Sequence, residues 1–454
     1  MGRKTYAIDM VNGSIFKSMV AFVVPLIAGN ILQLLYNAAD IIVVSRFAGS
    51  EAMASVGATG SLSALIISLF IGLTAGAGVV VSRYHGARDS GGVHRAVHTS
   101  IALGITAGLV ASAIGILLSG YLLKLMGTPE GKVLDGAVLY MKIYFIGVPA
   151  SLIYNFGASV LRALGDTRRP LYILAFSGIV NVLLNLVFVI KFHMGVSGVA
   201  IATAVSSYIS AIAVVVILIR AEGAHHLDVK ALKFYKREFL DVVKIGLPAG
   251  IQSSLFSVSN TLIQSSVNSF GTTAIAGNAA AGNIEGFVYT AMNAFYQAAI
   301  TGVSQNYGAK SEKGIRKTVK TCAASVTVVG FALGLLTAIF AKPLLSIYIT
   351  DSKEAIDYGV IRMVISGIPY FLCGIMEVQA GQLRGLGYST TAMVNSLVGA
   401  CGFRILWVMF ILPLHRTTEV LFLCWPISWV LVIIMHFVCY KVVKKKAYAK
   451  MMEA

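Results

Sequence analysis

Charge is what this sequence has least of. Only 12% of its residues are Asp, Glu, Lys or Arg, against about a quarter in soluble globular chains, and that shortage excludes an ordinary water-soluble domain. Cysteine is nearly absent as well. Cys322, Cys373, Cys401, Cys424 and Cys439 lie in or beside apolar stretches without paired spacing, so neither a disulfide framework nor a thiolate metal site is expected. The chain contains no His-Glu-x-x-His, no Gly-x-x-x-x-Gly-Lys-[Ser/Thr] and no Gly-x-Ser-x-Gly. Zinc proteolysis, a self-contained ATP-driven pump and nucleophile-elbow hydrolysis therefore find no carrier, and the chain is not expected to be an enzyme. After Arg3, Lys4 and Lys17 no short apolar core ends in a small-residue cleavage site, so the first apolar stretch is expected to be a retained helix.

What the sequence has is hydrophobicity: 57% of its residues are apolar and its mean hydropathy is +0.82. Apolar stretches able to cross a hydrocarbon core of about 30 Å begin near residues 16, 55, 97, 134, 171, 197, 242, 275, 319, 357, 390 and 419. The fold class expected is an all-α polytopic membrane protein of twelve spans. The net charge of +17 fits a membrane better than nucleic acid, because of where it falls. Of the 36 basic residues, 26 lie on alternate connections beginning with the N-terminus, seven lie on the opposite set, and Lys142, Arg362 and Arg404 lie within spans. Positive-inside bias then places both termini and the central loop in the cytoplasm.

The chain repeats itself. Val-Ser-Arg-Tyr-His-Gly-Ala-Arg at 81–88 returns 222 positions later as Val-Ser-Gln-Asn-Tyr-Gly-Ala-Lys at 303–310. The same offset carries Gly49 onto Gly271, Leu161-Arg162 onto Leu383-Arg384 and Gly165 onto Gly387. Six spans per half let both halves enter from the same side, as in parallel repeats about an axis along the membrane normal. The expected domains are an N-terminal lobe 1–219, a cytoplasmic linker 220–241 and a C-terminal lobe with a basic tail 242–454. In 220–244, Leu227, Leu232, Tyr235, Phe239 and Val243 interleave with basic residues, as in an interfacial amphipathic segment. Glycines such as Gly72, Gly76 and Gly78 suit close helix packing in lipid. Pro25 and Pro248, at matching depths in spans 1 and 7, are candidate bend points.

Ionisable groups in spans cost about 2.5 to 3.5 kcal/mol at mid-bilayer and therefore need a reason. Asp40 in span 1, Glu285 in span 8 and Glu377 in span 10 are the acids in question. Asn30, Gln33, Asn37 and Asp40 fall within an arc of roughly 80° at helical periodicity, one polar stripe; interhelical hydrogen bonding also accounts for Asn30 and Gln33. Asp40 is read as a proton-exchanging carboxyl group. Glu285 aligns with Asn278, Tyr289, Asn293 and Gln297, and Glu377 with Tyr370, Cys373 and Gly381. Acid beside aromatic ring is chemistry that holds an organic cation, although Arg404 could instead neutralise Glu285 or Glu377. Ser177, Asn181 and Asn185 recur in span 5, and Thr203 follows in span 6; such groups bind a protonated acid or Na+, or pack helices. His94 and His98 read as a solvated helix face rather than a metal site.

Taken together, the run from Pro25 to Leu35-Tyr36-Asn37-Ala-Ala-Asp40, the Gly-Ala-[Arg/Lys] loops, the Leu-Arg-x-Leu-Gly segments and Gly195-Val-Ser-Gly-Val-Ala-Ile-Ala-Thr203 resemble the multidrug and toxic compound extrusion (MATE) transporters. The resemblance spans nearly the whole chain. It implies a V-shaped pair of six-helix lobes that exports amphipathic, cationic small molecules by alternating access, driven by inward H+ or Na+. One prokaryotic branch builds its ion site from two aspartates, an asparagine and a threonine; Asp40, Asn181 and Thr203 match three, and Asn185 stands where the second aspartate would be. With Asn37 these form the expected ion-coupling set, and the missing carboxylate favours H+ over Na+. Another branch places acids in spans 7 and 10; span 7 here offers Asn260 and Gln264, while Glu377 is displaced by about a turn. Tyr36, Asn260, Gln264, Glu285, Tyr289, Tyr370 and Glu377 are the expected substrate-binding residues. No cofactor, nucleic acid or metal is expected, and the partners are organic substrates and membrane lipids around a monomer in the cell membrane. The alternative is a lipid-linked oligosaccharide flippase of the same superfamily. A major-facilitator carrier is disfavoured, because the loop 82–92 lacks that family's Asp-Arg-x-Gly-Arg-Arg pattern.

Overall fold

A computed structural model describes residues 8–350 and 352–453; Arg3 and Lys4 lie outside the described residues. The described residues hold twelve long helical runs. In the first half these are α1 (Ile15–Phe47), α2 (Ser50–Gly86), α3 (Ser90–Leu125), α4 (Lys132–Ala163), α5 (Arg168–Leu186, extended by a π-helical turn Val187–Lys191) and α6 (Gly195–Ile219). In the second half come α7 (Lys236–Asn268), α8 (Thr272–Gly308) and α9 (Glu312–Ile339), then a short α10 (Ala341–Ser346). The tenth run joins α11 (Lys353–Arg362), a π turn Met363–Gly367 and α12 (Tyr370–Gly385). The eleventh joins α13 (Ser389–Ser396) and α14 (Phe403–Leu406) through π turns, and α15 (Thr418–Glu453) closes the chain.

Among the described residues, nine helices are long and apolar enough to cross a membrane, or ten if the bent run 353–385 is one span. The expected seventh and eighth spans are present as helices of 33 and 37 residues. They fall short in apolarity because Ser, Thr, Asn and Gln recur along them: Ser253, Asn260, Thr261 and Asn268 of α7 and Asn283 of α8 are exposed. A polar helical face at membrane depth has to border protein or water rather than lipid.

Helix starts precede the apolar starts by a few residues because polar first turns are capped. Asp89 accepts from the Gly92 N–H ahead of α3, and Ser311 accepts from the Gly314 N–H ahead of α9. Those two caps are 222 residues apart, and the backbone around them repeats too. Arg88 and Lys310, at the same offset, both take left-handed φ values of 56° and 54°, an unusual conformation for a residue with a Cβ. A Cβ at Gly92 would meet the Tyr84 ring at 2.2 Å, and one at Gly314 would meet Asn306 Oδ1 at 1.8 Å; the obstructing residues are again a repeat pair. The duplication is therefore written in steric detail as well as in sequence.

The described chain forms two compact units: residues 28–254 with Ile8, and residues 9–27 with 255–453. The boundary between Ile8 and Asp9 precedes α1, and the other two fall inside helices, α1 and α7. Residues 220–235 form a loop with a single 3-10 turn, and the charged stretch from Lys236 is the first turns of α7. The loop is fastened to α3 by a buried histidine: His98 Nε2 accepts the Asp228 N–H at 3.1 Å while Nδ1 bonds the His94 carbonyl at 2.8 Å. His98 is thus fully buried, not on a solvated face as its sequence context suggested.

In the first unit, α4 packs against α2, α3 and α6, with Phe145, Met141 and Leu152 fully buried among them. In the second, α8, α9 and α12 form the corresponding triple, with α15 against α12. The first unit also contains a seam of glycines between α2 and α7. A Cβ at Gly72 would lie 2.1 Å from the Gly250 nitrogen, and one at Gly76 would lie 2.3 Å from the Val242 carbonyl oxygen. At Gly72 and Gly76 the small-residue run in span 2 is thus backbone-on-backbone contact, while Gly78 lies against the Ser159 side chain of α4. Gly72→Ala is expected to lower the purified protein's stability by about 1 to 3 kcal/mol through overpacking. Gly286→Ala, where the added methyl meets nothing within 4 Å, should leave thermal unfolding unchanged or slightly raised; equal effects at both positions would contradict the seam.

Candidate functional site

The first unit carries a polar chain that begins at Asp40. Asp40 lies on the partly exposed face of α1, and the Asn185 amide of α5 donates a very short hydrogen bond to its Oδ1. The same amide nitrogen reaches Asn181 Oδ1 at 3.3 Å, and Asn181 Nδ2 in turn approaches Ser206 Oγ of α6 at 3.5 Å. Asn181 and Asn185 are one turn apart, so regular helical geometry stacks their amides on one face. Asn185 Oδ1 is buried and accepts no hydrogen bond. Among the described residues no cationic side chain pairs with Asp40. A carboxyl group held by a neutral amide, beside a spare carbonyl acceptor, can be balanced by a proton or a small cation.

Not every expected member joins this chain. Thr203 donates to the Val199 carbonyl of its own helix at 3.0 Å, and its place is taken by Ser206, one turn further along the same face of α6. Asn37 is exposed on α1. Tyr36 is used in packing: its hydroxyl donates to the Ala175 carbonyl at 3.1 Å, and its ring lies over Gly178, where a Cβ would come within 1.8 Å of the ring. Tyr36 over Gly178 sets how closely α1 approaches α5, and so where Asp40 meets Asn185.

The second unit solves the same problem differently. Glu285 of α8 is buried and paired with Arg362 of α11, whose Nη2 and Nε lie 2.6 and 3.2 Å from Oε2; Ser366 in the adjoining π turn donates to Oε1 at 2.6 Å. Arg362 Nη1 continues to Asn278 Oδ1 at 2.5 Å, Asn278 Nδ2 to Gln264 Oε1 at 2.8 Å, and Gln264 Nε2 to Asn268 Oδ1 at 2.9 Å. The guanidinium carbon sits 4.4 Å from the centre of the Trp425 ring. Gln264 and Glu285, both expected at a substrate site, are thus joined through Asn278 and Arg362. The neutralising arginine is Arg362, not Arg404. Arg404 is buried, donates from Nε to Ser428 Oγ at 3.0 Å and lies 5.9 Å over the Phe256 ring.

Glu377 is half-buried on α12 and has no hydrogen-bond or ion-pair partner among the described residues. Tyr370 stacks edge-on with Trp429 at 5.3 Å, Tyr289 is 40% exposed, and Asn260 is exposed on α7 outside the Gln264 network. α1 and α7 run unbroken through Pro25 and Pro248. The pronounced break lies elsewhere, a bend of 45° between Lys353–Gly367 and Tyr370–Gly385, at Pro369.

A duplicated, all-helical membrane bundle with partnered acids inside its helices defines the class: a multi-pass membrane transporter. The chain belongs to the MatE family, whose model matches it twice, at residues 25–187 and 248–409. It is a family of transporters and not of enzymes. The chain is 25% identical over 442 residues to the probable multidrug resistance protein YoeA of Bacillus subtilis, with 95% of each chain covered. It is 21% identical to the multidrug export protein MepA of Staphylococcus haemolyticus, over 88% of this chain and 90% of that one. A crystal structure of a mutant of the Vibrio cholerae MATE transporter VcmN superposes with a TM-score of 0.88 at 22% identity, covering 96% of this chain and 98% of that one.

The Tyr36–Gly178 contact yields a direct test. Gly178→Ala should cost about 1 to 3 kcal/mol by overpacking, and Tyr36→Ala combined with it should cost less than the sum of the two single changes. Additive losses in thermal unfolding would show that ring and glycine do not meet.

Proposed function

We propose that this protein is a secondary active exporter of amphipathic, cationic small molecules, drugs and toxins among them, coupled to inward movement of H+ in preference to Na+. The observation that carries the reading is Asp40, a membrane-embedded carboxyl group whose partner is the neutral Asn185 amide. A single carboxylate among amides and a hydroxyl supplies one negative charge, enough for a proton. Na+ sites draw on more oxygen ligands and gain from a second anionic one, and Asn185 stands where that second carboxylate would be. The printed names of the Bacillus and Staphylococcus relatives, a multidrug resistance and a multidrug export protein, support organic substrates.

In this mechanism protonation of Asp40 removes its charge, releases the Asn185 amide to turn its oxygen toward the carboxyl proton, and allows α1 to bend at Pro25. Pro248 serves α7 in the same way. The unit boundaries fall two residues after Pro25 and six after Pro248, which supports these prolines as bend points. The functional lobes are 1–219 and 242–454 joined by 220–241, with both termini cytoplasmic and a monomer in the cell membrane as the working state. Substrate charge is received in the C-terminal half by Glu285 and Glu377 among Tyr289, Tyr370, Asn260 and Gln264.

The test is export of a fluorescent organic cation from proteoliposomes under separately imposed pH and Na+ gradients. A pH gradient alone is expected to drive transport, and Asp40→Asn is expected to fold normally yet lose at least about a hundredfold in gradient-driven rate, as expected when a proton-transfer group is removed. Undiminished export by Asp40→Asn, or a response to Na+ alone, would overturn the coupling scheme.

A further inference from the structure

Arg362 occupies surroundings that would suit a free organic cation. Its guanidinium meets the Glu285 carboxylate at 2.6 Å, the face of Trp425 at 4.4 Å and the side-chain carbonyl of Asn278 at 2.5 Å. Coulomb attraction, a ring quadrupole and an oriented carbonyl are together how proteins hold alkylammonium and guanidinium ligands. One wall of this receptacle is bare backbone. A Cβ at Gly282 would lie 3.5 Å from both terminal nitrogens of Arg362, and one at Gly286, a turn further along α8, would meet nothing within 4 Å. Both glycines are partly exposed, so small residues open a way to the guanidinium from the polar side of α8.

We propose that this receptacle binds amphipathic organic cations, with Arg362 acting as a tethered competitor that fills it between substrates. The proposal deepens the export reading by naming where the substrate's positive charge is received. Exchange of one cation for another keeps Glu285 compensated throughout, which avoids the penalty of a buried, unpaired carboxylate. Ser366 Oγ lies 2.6 Å from Glu285 Oε1 and 2.7 Å from the Arg362 backbone carbonyl, so its single proton can stay on the carboxylate when the Arg362 side chain leaves. The arginine is also placed to move. It is the last residue of α11, the π turn Met363–Gly367 begins at the next residue, and the helix bends by 45° beyond it. π-helical turns inside a span are sites where helical register changes, often next to functional groups.

A competitor built into the chain lowers the apparent affinity for substrate by the fraction of time the site is vacant. The experiment is equilibrium binding of ethidium to the purified full-length protein in detergent, with no gradient, followed by fluorescence polarisation. Arg362→Gln is expected to tighten binding at least about tenfold, as that relation requires if the tether is displaced one time in ten or less. Arg362→Lys retains the charge but loses the planar fork, and should bind with intermediate affinity. Glu285→Gln combined with Arg362→Gln should abolish the gain. Should Arg362→Gln fail to fold as judged by monodispersity, Arg362→Lys carries the test in the same direction. The proposal falls if neither arginine variant binds ethidium more tightly than the wild type, or if the double variant binds as tightly as Arg362→Gln. Ethidium export with unaltered Arg362→Gln affinity defeats the receptacle alone. The expected binding pattern without any gradient-driven export defeats the export reading alone.

Discussion

An ionised carboxylate inside a membrane bundle has to find a counter-charge, a proton or a set of donors, because burying it unpaired costs several kcal/mol. The rest of this structure is arranged around that requirement. Asp40 meets it with the neutral amide of Asn185, and Glu285 with the guanidinium of Arg362. The first solution leaves the charge open to titration; the second fixes a cation beside the acid. Two copies of one ancestral bundle have therefore kept the same steric frame while placing different electrostatics inside it. The frame survives in Arg88 and Lys310, whose left-handed backbones match at the repeat offset.

Polarity along α7 and α8 follows from the same constraint. Helices that carry Gln264, Asn278 and Glu285 cannot also be as apolar as α3 or α5, and they fall short of the composition expected of a lipid-facing span. Their polar faces join a hydrogen-bonded network that runs from Asn268 through Gln264, Asn278 and Arg362 to Glu285. Such networks rigidify a bundle when every member is satisfied. In the first half the network is shorter, and Asn185 Oδ1 is left without a donor.

Much of the fold was legible in the sequence, since apolar run length and the 222-residue repeat depend on composition and spacing alone. The candidate site was legible only in part. Asp40, Asn181 and Asn185 stood out because helical periodicity aligns them, and the structure does bring them together. Ser206 was missed although it lies one turn beyond Thr203, because spacing cannot say which of two hydroxyls on one face turns toward a neighbouring helix. The Arg362–Glu285 pair crosses 77 residues of sequence; its one prior signal was a basic residue inside a span, a property it shares with Arg404. Proline was equally ambiguous. Pro369 sits at a sharp bend, while Pro149 lies inside the continuous helix α4.

The glycine seam between α2 and α7 differs in kind from the rest of the packing. Where Phe145 or Leu152 interlock with their neighbours, any lateral shift must first unseat a side chain from its rotamer. Along Gly72, Gly76, Gly246 and Gly250 the nearest contacts are main chain on main chain, with side-chain hydrogen bonds to either side, Ser68 to Ser254 at 2.9 Å and Tyr84 to Glu238 at 3.3 Å. A joint of that kind holds two rods at a fixed separation yet offers little friction along their length, much as a plain bearing does. Shear between α2 and α7 therefore has to exchange two hydrogen bonds but unseats no side chain from the glycine seam itself, whereas prising the helices apart gives up the main-chain contact as well.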